Sequence, residues 1–385
     1  MSSSRFLFRN GTVLHSSDAA APITTFLESH PGAYTTTRTH HTASCLLFWE
    51  RHVNRLADSI RILSNSAPKL LFQSNNHRLS LPVTSPMWES AVRALVDDSM
   101  NEALPIAMNE RSGGEELSVT VLVCGSSGRF NGFEYVDEEL MREALDVYVS
   151  VGCYVPRAFD VRGNGARLAV VGQGRDVANA KYSDWVRLRK PLEKLRPPSV
   201  TELLLSNDGD HILEGCVTNF FVVCRKDNDE AKGTCLHDQN NTCAFEVQTA
   251  PIQDGVLPGI IRQIVMERSS LKLSLMSIDH VEGWKLSFQR VCLSKGISFR
   301  EVAPSWSKHE IWEEAFITSS LRLLEHVETI QVPSSWKSLN SKTWEEISWE
   351  QKQFEQEGPG MITRVIQKGI MEKANLEGFP IGDAV

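Results

Sequence analysis

The 385-residue chain contains no apolar run that approaches the roughly 20 residues of a membrane-spanning helix, which excludes a helical membrane protein. It has no basic excess either. Lys and Arg number 40 against 48 Asp and Glu, a net charge of −8, so nucleic acid is not expected as its main partner. Among the eight cysteines there is no Cys-x-x-Cys pair and no Cys/His cluster at zinc spacing, and several lie in apolar runs where a free thiol acts as a small hydrophobe. A metal-free protein of a reducing compartment, the cytoplasm, is the expectation. The opening residues, Met1 to Gly11, lack a long apolar segment, so no cleaved secretory leader is expected. Internal repeats are absent. What remains is ordinary globular material, 41% hydrophobic and 23% charged, in a chain longer than one core usually supports, and two domains follow as the expectation.

Along the chain, Trp49, Val53, Leu56, Ile60 and Leu63 recur at steps of four and three and predict a helix that carries Arg51 and Arg55 close to its apolar face. A second helical pattern runs around Met87–Ala107, followed by the polar breaker Asn109–Glu116 and by strand-like runs at Leu117–Cys124 and Leu145–Val155. These elements suggest a small N-terminal α+β domain over 1–157, closed by a Gly-rich linker over 158–166. A larger, β-rich domain is expected over 167–385, interrupted by a polar surface insertion at 225–242. Within it, Pro258-Gly259 before an apolar period marks a helix start, Phe316–Leu321 reads as a strand giving way to a turn, and Gly358–Lys373 is again helical in pattern. The polar stretch 335–357 is expected to be peripheral.

One hairpin draws attention. Leu203–Ser206 and Cys216–Cys224 flank the turn signal Asn207-Asp208-Gly209, and Glu214 falls where the second arm is expected to begin. Alternation puts Val217, Asn219, Phe221 and Val223 on one face and Cys216, Thr218, Phe220 and Val222 on the other, leaving neither face wholly polar. Glu214 is therefore either a solvated turn residue or a buried carboxylate that requires a cation. Similar pairs of readings apply to the helix start at Ile260 and Ile261 and to the hydroxyls of Ser319 and Ser320: simple capping, or donors for an anion such as phosphate.

Taken in order, these segments resemble the branched-chain and D-amino-acid aminotransferase family of pyridoxal phosphate enzymes, which includes aminodeoxychorismate lyase. The family's Glu-Gly-x-x-x-Asn-aromatic-aromatic hairpin is matched by Glu214, Gly215, Asn219, Phe220 and Phe221. Its Thr-x-Pro-x-x-x-Gly-x-Leu-Pro-Gly-Ile element is matched from Thr249 to Ile260, and its Glu-x-Phe-x-Ser-x-Ser/Thr element resembles Glu314 to Ser320. Upstream, Tyr34 and Arg38 match an aromatic-x-x-x-Arg strand, while His52-Val53-Asn54-Arg55-Leu56 matches a His-x-x-Arg-Leu helix. The likeness runs from about Asn10 to about Val327, with a weaker echo at Gly358–Gln367.

The resemblance implies a mixed α/β (α+β), two-domain D-amino-acid aminotransferase-like fold with pyridoxal 5′-phosphate in the interdomain cleft, and a homodimer. It points to Lys181, 33 residues before Glu214, as the lysine that condenses with the cofactor aldehyde and then moves the substrate proton; Lys190 and Lys194 are the alternatives, and an exposed lysine in a charged segment is the bland reading. By the same likeness Glu214 faces the pyridine nitrogen, Arg55 binds the phosphate with the amides near Ile260 and Ile261 and with Ser319 and Ser320, and Tyr34 and Arg38 line the substrate side. For Arg55 the bland reading is an intrahelical pair with Asp58. The chain departs from the family at Thr35 and Thr36, where relatives often have Glu-Gly, at Asp184 and Trp185 after the lysine, and at Ile261 in place of a threonine. The expected activity is amino-group exchange between an amino acid and a 2-oxo acid. An aminodeoxychorismate-type lyase and a non-catalytic cofactor-binding homologue are the alternatives.

Overall fold

The computed structural model describes residues 5–14, 22–72, 85–111, 114–126, 142–161, 163–225, 245–270, 297–337, 339–354 and 358–381. The chain divides into two compact units, one comprising Met1–Pro156, Asp176–Lys190 and Ala374–Val385 and the other Arg157–Arg175 and Pro191–Lys373. Lys181 thus belongs with the N-terminal strands, whereas the sequence-order reading groups it with the residues after 167. The expected insertion at 225–242 lies, apart from Arg225, outside the described residues.

The first unit holds a seven-stranded antiparallel sheet in the order β16-β4-β3-β5-β6-β1-β2: β1 (Arg5–Arg9), β2 (Thr12–Val13), β3 (Ala33–His40), β4 (Cys45–Leu47), β5 (Glu116–Gly125), β6 (Leu145–Tyr154) and β16 (Gly378–Pro380). Its helices are α1 (Ile23–Ser29), α2 (Trp49–Ser66), α3 (Lys69–Phe72), α4 (Ser85–Asn109) and α5 (Trp185–Leu188). On α2 the stripe expected from the sequence, Trp49, Val53, Leu56, Ile60 and Leu63, is buried, and the helix packs on β3 and α4. Each of those large side chains contributes about 1.5–3 kcal/mol by leaving water. That contribution offsets the cost of burying the polar residues His52, Arg55, Ser59 and Ser64 of the same helix.

In the second unit the strands are β7 (Ala166–Gly172), β8 (Glu202–Ser206), β9 (Ile212–Gly215), β10 (Asn219–Arg225), β11 (Phe245–Thr249), β12 (Ser298–Glu301), β13 (Trp312–Ser319), β14 (Leu323–Pro333) and β15 (Trp349–Gln353); the longer helices are α6 (Ile260–Ser270) and α7 (Met361–Leu376). The strands follow the path β12-β11-β10-β13-β14-β7-β8-β9, and β9 pairs back onto β10 through Glu214 and Asn219. Six strands therefore close into a ring. Its interior is filled by one cluster that includes Leu168, Val170, Leu204, Ile212, Phe220, Val222, Ala315 and Ile317. From the peripheral stretch 335–357, residues 349–353 form β15 on β14.

The anticipated hairpin is in fact two. β8 pairs with β9, and a tight turn at residues 216–218, closed by the Gly215 amide on the Thr218 carbonyl at 2.8 Å, leads into β10. Glu214 lies within β9 rather than at the beginning of an arm starting at Cys216. The alternation anticipated for residues 216–223 holds only from Asn219 onward, because Cys216, Val217 and Thr218 belong to the turn.

Candidate active site

Glu214 owes its placement to one extra residue. Between β8 and β9 the register shifts, Leu205 opposing Glu214 but Ser206 opposing Ile212, so that Leu213 is bulged. Such a bulge re-aims the side chains that follow it. Ile212 belongs to the ring's interior cluster, Leu213 packs with Ala250, Val256 and Ala303 outside it, and Glu214 stands opposite Asn219, whose neighbour Phe220 points inward. Without the bulge, alternation would send Glu214 into the apolar interior.

Outside the ring the buried carboxylate is met by donors. Arg175 Nε lies 2.9 Å from Glu214 Oε1, both side chains under 5% exposed, while the Leu257 amide (2.9 Å) and Asn219 Nδ2 (3.4 Å) donate to Oε2. Asn219 Nδ2 also donates to the Leu257 carbonyl at 2.9 Å, tying β10 to the loop before α6. A carboxylate accepts about four hydrogen bonds, and among the described residues three are made here. The cross-strand row Glu214, Asn219, Thr318 and Leu324 continues over β13 and β14. In it the buried Thr318 Oγ1 has no hydrogen-bond partner among the described residues. Gly259 approaches so closely that a Cβ there would sit 2.1 Å from Asn219 Oδ1.

Gly259 starts α6. Its amide donates to the Leu257 carbonyl, and the first intrahelical bond runs from Gln263 to the Gly259 carbonyl. The amides of Ile260, Ile261 and Arg262 are consequently left without intrahelical acceptors, and they form a donor group suited to an anion. At the β13–β14 turn, Ser319 Oγ accepts the Arg322 amide at 3.2 Å, and half-buried Ser320 follows.

In the first unit, the residues around Lys181 are stitched to β3 and α2. The Lys181 amide donates to Ser59 Oγ (3.1 Å), its carbonyl accepts from the Tyr34 amide (2.9 Å), and Ser183 bonds Gly32 through both backbone and side chain. Ser59 in turn donates to the Arg55 carbonyl at 2.8 Å, so a single buried hydroxyl links the Arg55 turn to Lys181. Lys181 Nζ lies 4.7 Å from the centroid of the Tyr34 ring. Arg55, 6% exposed, donates to Thr35 Oγ1 (2.8 Å), which contacts His52 Nδ1 at 2.6 Å. Burial, reinforced by the charges of Arg55 and Lys181, holds His52 well below its ordinary pKa.

Several sequence expectations can now be placed. Asp58 pairs with Arg61, and Arg55 instead faces Thr35. Lys190 is exposed and bound to Glu28, and Lys194 is exposed, whereas Lys181 is half-buried and fixed on both sides. Asp184 is taken up by a two-pronged contact with Arg187, and Trp185 is buried. Tyr34 and Lys181 come together, but Arg38 does not join them. It lies four residues, roughly 13 Å, along β3 from Tyr34, against the Tyr154 ring, and burial lowers its pKa. Arg175, Thr35, His52 and Ser59 escaped the sequence reading as partners of the site; the only available signal was that each buried charge there needs a polar neighbour.

In the second unit, an acid that keeps an acceptor site among the described residues suits a protonated ring nitrogen, and helix-start amides and two serines suit a phosphate; in the first unit, a buried arginine suits a phosphate and a half-buried amine suits an aldehyde. The family description "Amino-transferase class IV" matches residues 32–275, well over half of the chain. The chain belongs to the class IV aminotransferases. These enzymes use pyridoxal phosphate, and the acid, amine and donor groups above fit it. This class IV chain is similar over 99% of its length to a branched-chain amino acid aminotransferase from Escherichia coli, at 15% identity, with 97% of that chain covered and a TM-score of 0.55. A mutant form of the branched-chain amino acid aminotransferase from Thermobaculum terrenum is similar over 96% of this chain and 93% of its own, at 12% identity and a TM-score of 0.55. A hypothetical aminotransferase from Mycobacterium tuberculosis in its PLP-bound form covers 96% and 98%, at 14% identity and 0.52. At these identities the likeness establishes the fold, a mixed α/β architecture of the class IV type. A search of curated proteins found no match. Among the described residues no group of three or more His, Cys, Asp or Glu side chains is arranged to hold a metal, and no helix is long and apolar enough to cross a membrane.

Proposed function

We propose that this class IV protein is a transaminase that exchanges an amino group between an amino acid and a 2-oxo acid. The observation carrying the reading is Glu214: a carboxylate sent by a bulge to the outer face of a closed ring, buried, and, among the described residues, held by three donors and left with one acceptor site. When bound, pyridoxal phosphate supplies an aldehyde for the amine and a cationic ring that draws electrons from the reacting carbon. Glu214 keeps the ring nitrogen protonated, with Asn219 and Arg175 fixing the carboxylate. Lys181 takes the proton from the substrate carbon and returns it on the other side of the exchange. Arg55, the Ile260 and Ile261 amides, Ser319 and Ser320 hold the phosphate, Tyr34 borders the amine, and Arg38 is assigned to the substrate side.

The test is an incubation of purified protein, loaded with pyridoxal phosphate, with a panel of L- and D-amino acids and 2-oxoglutarate. Oxo-acid formation that requires the acceptor supports a transaminase. Pyruvate released from an aminodeoxychorismate-like substrate without any acceptor would replace it with the lyase, and a visible cofactor band that no amino acid shifts would replace it with a non-catalytic binder.

A further inference from the structure

We propose that Thr35 and His52 are positioning residues that form a one-directional relay and fix the Arg55 guanidinium for the cofactor phosphate. The proposal rests on the reading above, in which Arg55 takes the phosphate, and adds how this chain holds it. The direction follows from donor inventory. Arginine can only donate, so the contact between Arg55 and Thr35 Oγ1 at 2.8 Å uses a lone pair of the hydroxyl. The hydroxyl hydrogen is then available for the His52 ring nitrogen Nδ1, 2.6 Å away, and this order uses it, whereas an Nδ1–H donated to the second lone pair of Oγ1 would leave that hydrogen without an acceptor among the described residues. His52 therefore carries its proton on Nε2, and that N–H is buried without a partner among the described residues. Thr35 and His52 are 1% and 0% exposed, so no water competes for either bond.

The neutrality of the ring matters to this order. A doubly protonated His52 would turn Nδ1 into a donor, leaving the Thr35 hydroxyl hydrogen with no acceptor in a dry site. Burial and the nearby Arg55 and Lys181 charges oppose that protonation. The chemistry also explains a departure from the resembling enzymes, which often carry glutamate where this chain has Thr35. A carboxylate beside Arg55 would offset its charge. A hydroxyl orients the guanidinium and leaves the full positive charge for a phosphate.

The apoprotein's affinity for pyridoxal phosphate and for pyridoxal, which lacks the phosphate, is to be titrated by absorbance in Thr35→Val, Thr35→Ser and Arg55→Gln, and the His52 tautomer read by ¹⁵N NMR in the unaltered apoprotein. Thr35→Val is expected to weaken pyridoxal phosphate about 10-fold or more, in line with losing a hydrogen bond to a charged group. Pyridoxal affinity should stay unchanged, and Thr35→Ser should restore phosphate binding. The NMR spectrum should show the Nε2–H tautomer. An Nδ1–H tautomer, unchanged affinity in Thr35→Val, or an equal loss for both ligands would overturn the relay. If Thr35→Val does not fold, the tautomer and the Thr35→Ser titration still decide. The underlying reading fails separately: in that case Arg55→Gln would lose no more affinity for pyridoxal phosphate than for pyridoxal.

Discussion

At the scale of single residues, the buried pair of Arg175 and Glu214 bears on stability and, in the proposed function, on activity. Removing one member of such a pair strands a charge in a dry place and costs about 3–5 kcal/mol. Arg175→Met should lower the unfolding free energy by that amount in a urea titration, and Arg175→Met combined with Glu214→Gln should cost less than the sum of the two single changes; strict additivity would show that the contact carries no coupling. Glu214→Gln alone should retain the cofactor and lose about 10²–10³-fold in turnover, the magnitude seen when one preorganised electrostatic group is removed; turnover at the original level would remove the ring-nitrogen role. Lys181→Ala gives a complementary outcome. The bonds to Ser59 and Tyr34 use the Lys181 backbone, so stability should change by less than about 0.5 kcal/mol while the visible band of the bound cofactor disappears. A band that persists would move the assignment to another lysine. Glu214, Asn219 and Arg55 stand in short ordered motifs that single them out in the sequence, and Lys181 follows from its separation from Glu214. Arg175 and Thr35 were not, since each meets its partner across 20 residues or more and no local pattern encodes that meeting.

At the scale of elements, the link between Glu314 and α7 shows how two separated motifs support each other. The amides of Ile362 and Thr363 donate to Glu314 at 3.0 and 2.8 Å and the Thr363 hydroxyl at 2.6 Å, so a strand residue caps the start of a helix nearly fifty positions later. The carboxylate satisfies amides that have no intrahelical acceptor and faces the positive end of the helix. Gly360 is required beside it, because a Cβ there would lie 2.1 Å from the Glu314 carboxyl carbon. Glu314→Gln should therefore cost about 2–3 kcal/mol, the value of hydrogen bonds to a charged group, and hydrogen exchange should speed first in the opening turns of α7; faster exchange elsewhere with α7 unchanged would reject the capping role. The helical stripe of α2 and the long strands β5 and β6 were legible, since period alone defines them. The short β9 and the bulge at Leu213 were not. Shifting one residue reverses every face after it, and only the cross-strand partners reveal the shift.

At the scale of the whole molecule, order along the chain was a poor guide to which segments fold together. The residues around Lys181 add an isolated bridge to β3, and the terminal β16 extends the first sheet beside β4, both by pairing between distant positions. Each unit also buries histidine, which gives the protein as a whole an acid sensitivity of predictable sign. Burial lowers the pKa of His40 and His52 in the first unit and of His326 in the second. A histidine with a lowered folded pKa binds its proton more readily when unfolded, so its stabilising effect is complete above the unfolded value near 6.5 and is lost as pH falls toward the folded value. His211 works in the opposite sense: its pKa is raised by the hydrogen bond to Asp208, so its contribution is present below 6.5 and fades as pH rises, but the pair is exposed and screened. The three rings with lowered pKa, two of them buried, should prevail. Urea midpoints taken at pH 7 and pH 5 should fall on acidification, with a slope of up to about 1.4 kcal/mol per pH unit for each ring that stays neutral when folded. This window lies above the range in which Asp208 and Asp210, whose pKa values are lowered, begin to protonate. His52→Asn should flatten the slope more than His40→Asn, because His52 is fully buried beside Arg55 and Lys181 while His40 is half-exposed. Equal midpoints at the two pH values in the unaltered protein would mean that these rings take up protons without unfolding.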